Sequence, residues 1–432
     1  MNVKNCYFPI FITKDAMSKE SNHIEGFAPE IAWIKPPKTE DITSTDSTIG
    51  IRPTSETIMY PYYSKWIRTH RDLPLKMNQW CNVVRWEFKN PIPFIRGREF
   101  LWQEGHSAFA TKDEACAEIL DILTMYKSVY EDLCAVPVVK GYKTELEKFA
   151  GADYTTTLEV FIPESGKSIQ SCTAHGLGQN FSKMFDIQYD VAYSDNSKKE
   201  VEKRHVWQNS WGLSTRSLGV IVMTHSDDKG LVLPPKIAPI QIVIIPLYFT
   251  KADNTKTDQY CYELEKTLED ANFRVFLDTD TIHRAGHKFN TYELRGVPIR
   301  IEIGPKDIEK ESVTYCRRDT SKKSEVKINE LYDTIKQQLQ LMHENLYNSA
   351  KQRQESSLVK VFNWNDFVSN VDNKKICVAP FCNKSTCEKE ISSKKVGVKS
   401  LCYPFDQQII DNLNCFNCNE KANLLCYFGK SY

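Results

Sequence analysis

The chain has 432 residues, 41% of them hydrophobic, with 56 Lys plus Arg balanced by 56 Asp plus Glu. That length allows several domains with sizeable cores, and the charge balance excludes a global positive field for coating nucleic acid, so any RNA contact needs a local basic surface. No run approaches the roughly 18 apolar residues of a spanning helix, and the start MNVKNCYFPIF has no basic region ahead of a cleavable apolar segment, which predicts a cytosolic protein.

The opening residues read as a strand over Cys6–Phe11, a helix-like segment near Lys14–Ser21 and a polar connection, KTEDITSTDST. A helix follows over 55–70, with Ile58, Met59, Tyr62 and Trp66 at helical spacing. Val83–His106, VVRWEFKNPIPFIRGREFLWQEGH, reads as two strands joined by a loop, because Asn90-Pro91-Ile92-Pro93 lacks two backbone donors and restricts the residue before each proline. Alternation puts Arg96, Arg98, Phe100, Trp102, Glu104 and His106 on one face of the return strand, and Arg85 and Glu87 on one face of the outgoing strand. Guanidiniums, then an aromatic plate, a carboxylate and an imidazole suit a ligand with phosphates, a flat ring and an amine. An exposed, salt-bridged hairpin is the other reading of that pattern.

Lys112–Cys134 keeps the 3.6-residue period, with Ala117, Leu120, Ile122, Leu123, Tyr126 and Val129 as its core face. Strands are predicted at Val136–Val139, Thr155–Phe161 and Lys167–Thr173. After Pro234-Pro235 the order becomes strand Ile240–Phe249, helix Asp258–Ala271, strand Phe273–Asp278, helix Lys288–Arg295 and strand Pro298–Ile303. Such alternation implies a small α/β domain. Ile335–Ser356 is Gln- and Lys-rich and reads as an exposed linking helix.

Half of the 14 cysteines lie between Cys377 and Cys426. Cys382 and Cys387 form a C-x4-C pair and Cys415 and Cys418 a C-x2-C pair, joined by a 27-residue connection, the arrangement of a tetrahedral zinc site with four thiolates. Such a site is structural, with no open position for catalysis. Cys377, Cys402 and Cys426 are rival ligands, and a small apolar cysteine core is the alternative.

The 83–106 stretch resembles motif 2 of class II aminoacyl-tRNA synthetases. With IRPTSET at 51–57 and LGQNFSKMF at 177–185, the chain resembles the prolyl-tRNA synthetases of the eukaryotic and archaeal type from about Asn5 to Tyr432. The resemblance implies ATP-dependent ligation of L-proline to tRNA(Pro) through prolyl-adenylate. It also implies three parts: an α+β catalytic domain on an antiparallel sheet over 1–236, an α/β anticodon-binding domain over 237–340, and a linker helix with a small α+β zinc-binding domain over 341–432.

By resemblance, Arg85 is catalytic and bridges the proline carboxylate and the ATP α-phosphate. Arg96 and Arg216 hold the γ-phosphate end, Phe100 stacks on adenine, and Glu87 contacts its amino group. Thr54, Glu56, Trp102, Glu104, His106, Phe149 and His175 form the proline site; outside the family, Thr54 or Ser55 would read as a helix cap. Gln170, Thr173 and Ser214 match ATP positions, with Gln170 also near a magnesium ion. The tail Phe428–Tyr432 resembles one that approaches the active site, and a homodimer without membrane contact is expected. Lys288, Glu293, Arg295, Arg300 and Arg317 have chemistry suited to anticodon bases and phosphates, but plain surface charge is the preferred reading of each and they are not counted among the site residues.

The chain also departs from the family pattern. Only the tail of motif 1, near Pro9, is present, which reads as a truncated chain or a protein lacking that element. Ser171 and Cys172 replace a glycine pair and are expected to narrow the pocket. Gly176 replaces a second histidine, Ser214 a threonine, and Ser226 a glycine. Between Glu104 and Gln170 there is no room for the editing domain of the bacterial form. The competing reading is an inactive paralogue or fragment that binds tRNA without charging it.

Overall fold

A computed structural model describes residues 1–14, 17, 31–34, 48–86, 90–191, 202–248, 254–406 and 412–432. They form two compact units, one of Met1–Lys127, Val138–Val220 and Ser356–Tyr432, the other of Ser128–Pro137 and Ile221–Glu355.

Among the described residues the first unit has an eleven-stranded sheet: β1 (Lys4–Cys6), β2 (Leu75–Val84), β3 (Glu99–Phe109), β4 (Val139–Tyr142), β5 (Tyr154–Ile162), β6 (Lys167–Gly178), β7 (Trp207–Ser214), β8 (Leu358–Lys360), β9 (Ile376–Phe381), β10 (Val398–Pro404) and β11 (Leu424–Ser431). The spatial order is β1-β2-β3-β7-β6-β5-β4-β10-β11-β9-β8. Most neighbours are antiparallel. β1 runs parallel to β2, β8 to β9, and the end of β11 to the start of β6.

The cysteine-rich segment, expected as a separate domain, is therefore continuous with the large sheet. β10 covers the edge of the short strand β4 through Tyr403↔Tyr142 and Pro404↔Gly141, so that edge does not keep a row of unpaired backbone groups. A buried ion pair fastens the junction. Lys143 Nζ lies 2.7 Å from Glu159 Oε1 and donates to the Leu401 carbonyl at 2.7 Å, while Ser168 Oγ donates to Glu159 Oε2 at 2.6 Å. The surrounding bonds offset part of the cost of drying two charges.

Behind the sheet, the helix Glu56–Trp66 buries Met59, Tyr60 and Tyr63 beside Leu177 and Phe181. The expected face was one step off, since Tyr62 and Trp66 are 40% and 45% exposed. Two stripes of this helix have apolar spacing. The tyrosine hydroxyls choose between them, Tyr60 meeting His106 Nδ1 and Tyr63 donating to the His106 carbonyl, each at 3.0 Å. The helix Lys112–Ser128 likewise exposes Ala117 and Leu120 and buries Ala115, Ile119, Ile122, Leu123 and Tyr126. Its inner face is set by Glu118, which takes hydrogen bonds from Ser107 and Asn209.

At the N-terminus the expected strand is split around Pro9, with Phe11–Thr13 pairing with Ile49–Ile51. The helix-like segment near Lys14–Ser21 and the polar connection lie almost wholly outside the described residues.

The second unit has a five-stranded sheet in the order Val275–Leu277, Ile242–Pro246, Ile299–Ile303, Ser312–Arg317, Lys323–Lys327. The first three are parallel, joined by helices Thr255–Asp270 and Ala285–Leu294, as the alternating pattern predicts. The last two form an antiparallel hairpin that the sequence reading does not contain. Ile242, Ile244, Ile299, Ile301 and Ile303 build its core with Leu264 and Leu268. The helix expected as an exposed linker runs Leu331–Ser357 and is amphipathic, burying Leu331, Ile335, Leu339, Met342 and Leu346 along one stripe.

Candidate active site

Strand register builds the site. His106 on β3 lies opposite Ser210 on β7, which lies opposite His175 on β6, which lies opposite Thr155 on β5. One rank along, Glu104, Gly212, Thr173 and Thr157 are aligned in the same way. Gly212 keeps the floor open, because a Cβ there would come within 3.2 Å of the Trp102 ring.

All of these but Thr157 line a cavity of about 530 Å³. Thr54, Glu56, Trp102, Glu104, His106, Phe149 and His175 line one part of it, and Arg85, Arg96, Phe100, Gln170, Thr173, Ser214 and Arg216 also line it. Glu87 lies outside the described residues.

The strands are shorter than expected. β2 stops at Val84 and β3 begins at Glu99, so Arg85, Arg96 and Arg98 stand on the loop ends and not on strand faces. The two prolines and the Ile92–Arg96 bridge account for the early break. Arg98 turns away and stacks 4.3 Å over the Trp86 ring. The Arg85 Nε donates to the Pro53 carbonyl at 2.9 Å, and its guanidinium lies 5.4 and 5.5 Å from the Phe100 and Trp102 rings. Among the described residues no carboxylate pairs with it.

Glu104 and His106, each 1% exposed, form a buried pair at 3.0 Å between Oε2 and Nε2. Glu104 Oε1 accepts from Ser55 Oγ and from Gln79 Nε2. Burial pushes the Glu104 carboxyl up, but its bonds to His106, Ser55 and Gln79 outweigh this and the net shift is downward. Burial pushes His106 down, and the Glu104 bond with the charges of Glu56 and Glu104 reverses this to a net rise. Both directions favour the charged forms, a carboxylate beside an imidazolium.

Ser55 and Gln79 carry much of this arrangement and were not among the expected site residues. Only the pairing of Gln79 with Glu104 across β2 and β3 points to the second. Ser55 holds the N-cap position, but its hydroxyl is spent on Glu104 and caps no backbone N–H, and the Thr54 hydroxyl donates to Glu56 Oε2. The other oxygen of Glu56 takes no hydrogen bond among the described residues.

His175 has the opposite character. Burial, then the positive charges of Arg85 and His106, push it down to about 3, so the ring is neutral. It lies between Thr155 Oγ1 at 2.9 Å and Thr173 Oγ1 at 3.0 Å, with the Phe149 ring 4.7 Å from its own. On the far side, Arg216 donates to the Ile95 carbonyl at 3.0 Å and the Gln170 carbonyl at 2.8 Å, and Ser214 Oγ accepts from the Arg216 backbone.

The departures find local accommodation. Leu158 pairs with Cys172 and Glu159 with Gln170, so Ser171 sits in a bulge, and its hydroxyl donates to the Leu158 carbonyl at 2.7 Å. At Gly176 a Cβ would meet the Tyr154 ring at 2.5 Å, leaving no space for a histidine. Ser226 belongs to the second unit and is not part of the cavity. The tail does reach it: Ser431 and Tyr432 line the cavity, and Tyr432 N donates to the Ser168 carbonyl.

In the C-terminal segment the sulfurs of Cys382, Cys387, Cys415 and Cys418 all lie within 4.8 Å of one another. The Cys387–Cys415 and Cys418–Cys382 separations are 3.8 and 3.7 Å. A tetrahedral ion with metal–sulfur bonds of about 2.3 Å needs sulfurs about 3.8 Å apart, so the donor set fits one. Burial raises the Cys415 thiol, but the backbone N–H groups of Cys418 and Asn417 outweigh it and favour a thiolate. Cys377 and Cys426 are buried elsewhere, their thiols donating to the carbonyls of Phe367 and Cys402.

In the second unit Glu293, Arg300 and Arg317 line a separate cavity of about 260 Å³. Lys288 is not available there, being buried on Asp278 at 3.0 Å.

Comparison with known proteins gives three family matches: the class II tRNA synthetase core domain (G, H, P, S and T) over residues 38–225, the anticodon binding domain over 241–338, and the prolyl-tRNA synthetase C-terminal domain over 364–432. The chain is 48% identical to the cytoplasmic proline–tRNA ligase of Arabidopsis thaliana, over all of this chain and 81% of that protein. It is 47% identical to the bifunctional glutamate/proline–tRNA ligase of Drosophila melanogaster, where it spans 26% of the relative. Crystal structures of prolyl-tRNA synthetase from Cryptosporidium parvum, one with halofuginone and AMPPNP and one with L-proline and AMP, superpose with a TM-score of 0.92 at 46% and 45% identity, over the whole of this chain and 85% of each.

The buried pair predicts a pH signature. Glu104, lowered, contributes stability above its ordinary value of 4.5 that is lost as pH falls through its folded value. His106, raised, contributes stability that is complete below 6.5 and lost as pH rises through its folded value. The stability difference between wild type and His106→Gln is therefore expected to be greatest between about pH 4.5 and pH 6.5 and to shrink at higher pH, as read from urea midpoints.

Proposed function

The chain belongs to the prolyl-tRNA synthetase family, and from that premise we propose that it activates L-proline with ATP and transfers the prolyl group to tRNA(Pro) in the cytoplasm. The observation that carries the reading is Arg85, a cation without a carboxylate partner among the described residues, at a cavity that joins a Glu- and His-lined part to an Arg-lined part.

A proline carboxylate oxygen attacks the α-phosphorus of ATP, pyrophosphate departs, and the terminal ribose hydroxyl of tRNA then takes the prolyl group and releases AMP. Arg85 bridges the two anions that must meet, and its planar fork suits two oxygens that would otherwise repel. The open oxygen of Glu56 receives the secondary ammonium, with Thr54 holding the other. Glu104 has both oxygens occupied, so its part is to hold His106 and the wall, and Trp102, Phe149 and neutral His175 enclose the ring. Phe100 stacks on adenine, Glu87 contacts its amino group, Arg96 and Arg216 hold the terminal phosphates, and Thr173 and Ser214 offer hydroxyls. The Gln170 side chain, with no protein hydrogen bond among the described residues, supplies one oxygen of the kind magnesium takes, and that ion would neutralise phosphate charge. The alternative of a non-charging tRNA binder is disfavoured by the motif arginines lining one cavity.

A homodimer is supported by exposed Tyr7, Trp80 and Leu101, 69%, 67% and 62% accessible, at the β1 side of the large sheet. No described helix is long and apolar enough to cross a membrane.

Purified protein is expected to catalyse ATP–pyrophosphate exchange that depends on proline. Arg85→Ala is expected to lower it by about a hundredfold or more, the scale of losing one preorganised charge contact; exchange without proline dependence would overturn the reading. Metal analysis is expected to find zinc at about one ion per chain, lost in Cys415→Ser. In sedimentation the chain is expected to run as a dimer, and a monomer would count against that part.

A further inference from the structure

The helix Ser385–Lys394 carries Cys387, one of the four clustered cysteines, and next to it Glu388, which is 2% exposed. Glu388 turns toward the catalytic sheet. Its Oε1 accepts from the Thr144 hydroxyl at 2.7 Å and from the Ser400 hydroxyl, and the two hydroxyls lie 3.0 Å apart.

Thr144 opens the turn that delivers the pocket wall. Its carbonyl accepts the N–H groups of Glu147 and Lys148, and the next residue, Phe149, donates its own N–H to Thr155 and packs its ring on His175. A second tie, Lys399 to Glu147 at 2.6 Å, is partly exposed and contributes less. Contacts thus run without a gap from the cysteine cluster to Phe149.

We propose that the metal-bearing segment positions the amino-acid wall of the active site through Glu388 and Thr144, so that filling the four-thiolate site tightens the hold on proline. Thr144 and Glu388 are positioning residues, since neither lines the cavity. The proposal rests on the prolyl-tRNA synthetase reading above. A metal that ties Cys387 to Cys415 fixes the start of the Ser385–Lys394 helix, hence the Glu388 carboxylate, hence the turn at Thr144. Displacement of a positioning group by about 1 Å is enough to matter in a site of this kind.

The test is Thr144→Val, which keeps the shape and removes the hydroxyl, beside Thr144→Ser, which restores it. Both are measured for the KM of proline and of ATP in pyrophosphate exchange, for proline affinity at equilibrium, for zinc content and for Tm. Thr144→Val is expected to raise the proline KM and Kd about fivefold or more, the scale of one hydrogen bond to a buried carboxylate, with the ATP KM and zinc content unchanged. Thr144→Ser is expected to return both to wild type. Removing metal with a chelator is expected to weaken equilibrium proline binding in wild type more than in Thr144→Val, and adding back Zn2+ to reverse it.

An unchanged proline KM in Thr144→Val, a parallel rise for proline and ATP, or equal chelator effects in the two proteins would overturn the proposal. Wild-type protein without proline-dependent exchange would overturn the functional reading beneath it, which separates the two failures.

Discussion

The site depends on a carboxylate and an imidazolium held side by side in the interior. Glu104 and His106 stand two residues apart on one strand, so both face the cavity, and both are almost fully buried. A buried ion pair persists only when its remaining lone pairs and protons are satisfied. That requirement recruits Gln79 from β2, Ser55 from the turn before the first long helix, and Tyr60 from that helix itself. Three separate elements are thereby aligned on β3. Because Ser55 is drawn to Glu104 and away from capping, the helix entry is fixed where Glu56 keeps one oxygen open to the cavity.

How much of this is legible in the sequence follows from the range of the interactions. Period-two alternation is local, so Phe100, Trp102, Glu104 and His106 can be aligned from their spacing alone, and they do share the cavity. The loop between β2 and β3 is likewise written in its prolines. What alternation cannot give is the partner strand. Ser55 and Gln79 become site residues only once β2 is registered against β3, and the pairing of Gln79 with Glu104 has no signature at either position. The faces of the two flanking helices failed for a related reason. Each offers two apolar stripes, and the choice is made by polar atoms on the sheet, His106 for one and Ser107 with Asn209 for the other.

The cysteine pairs show the same division. Their spacing announces a four-sulfur cluster, and the sulfurs do converge. The composition of the segment suggests an independent small domain, yet strands β10 and β11 continue the large sheet, and Lys143, far away in sequence, donates to the Leu401 carbonyl. Long-range pairing of this kind leaves little trace in local pattern, since the edge it covers and the strand that covers it are more than 250 residues apart.

The two cavity histidines show how one sheet produces opposite charges from one residue type. His106 and His175 flank Ser210 in the same rank, the first buried and the second half-buried. His106 has a carboxylate at 3.0 Å that shifts it toward the charged form, whereas His175 has only threonine hydroxyls and faces the positive charges of Arg85 and His106. A second imidazolium would repel Arg85, and a carboxylate within reach of its guanidinium would pair with it. Arg85, half-buried, lies beside the aromatic faces of Phe100 and Trp102 without a carboxylate partner among the described residues. A ligand anion would complete this arrangement, and a half-buried cation with aromatic neighbours attracts it more strongly than the same guanidinium would in open water.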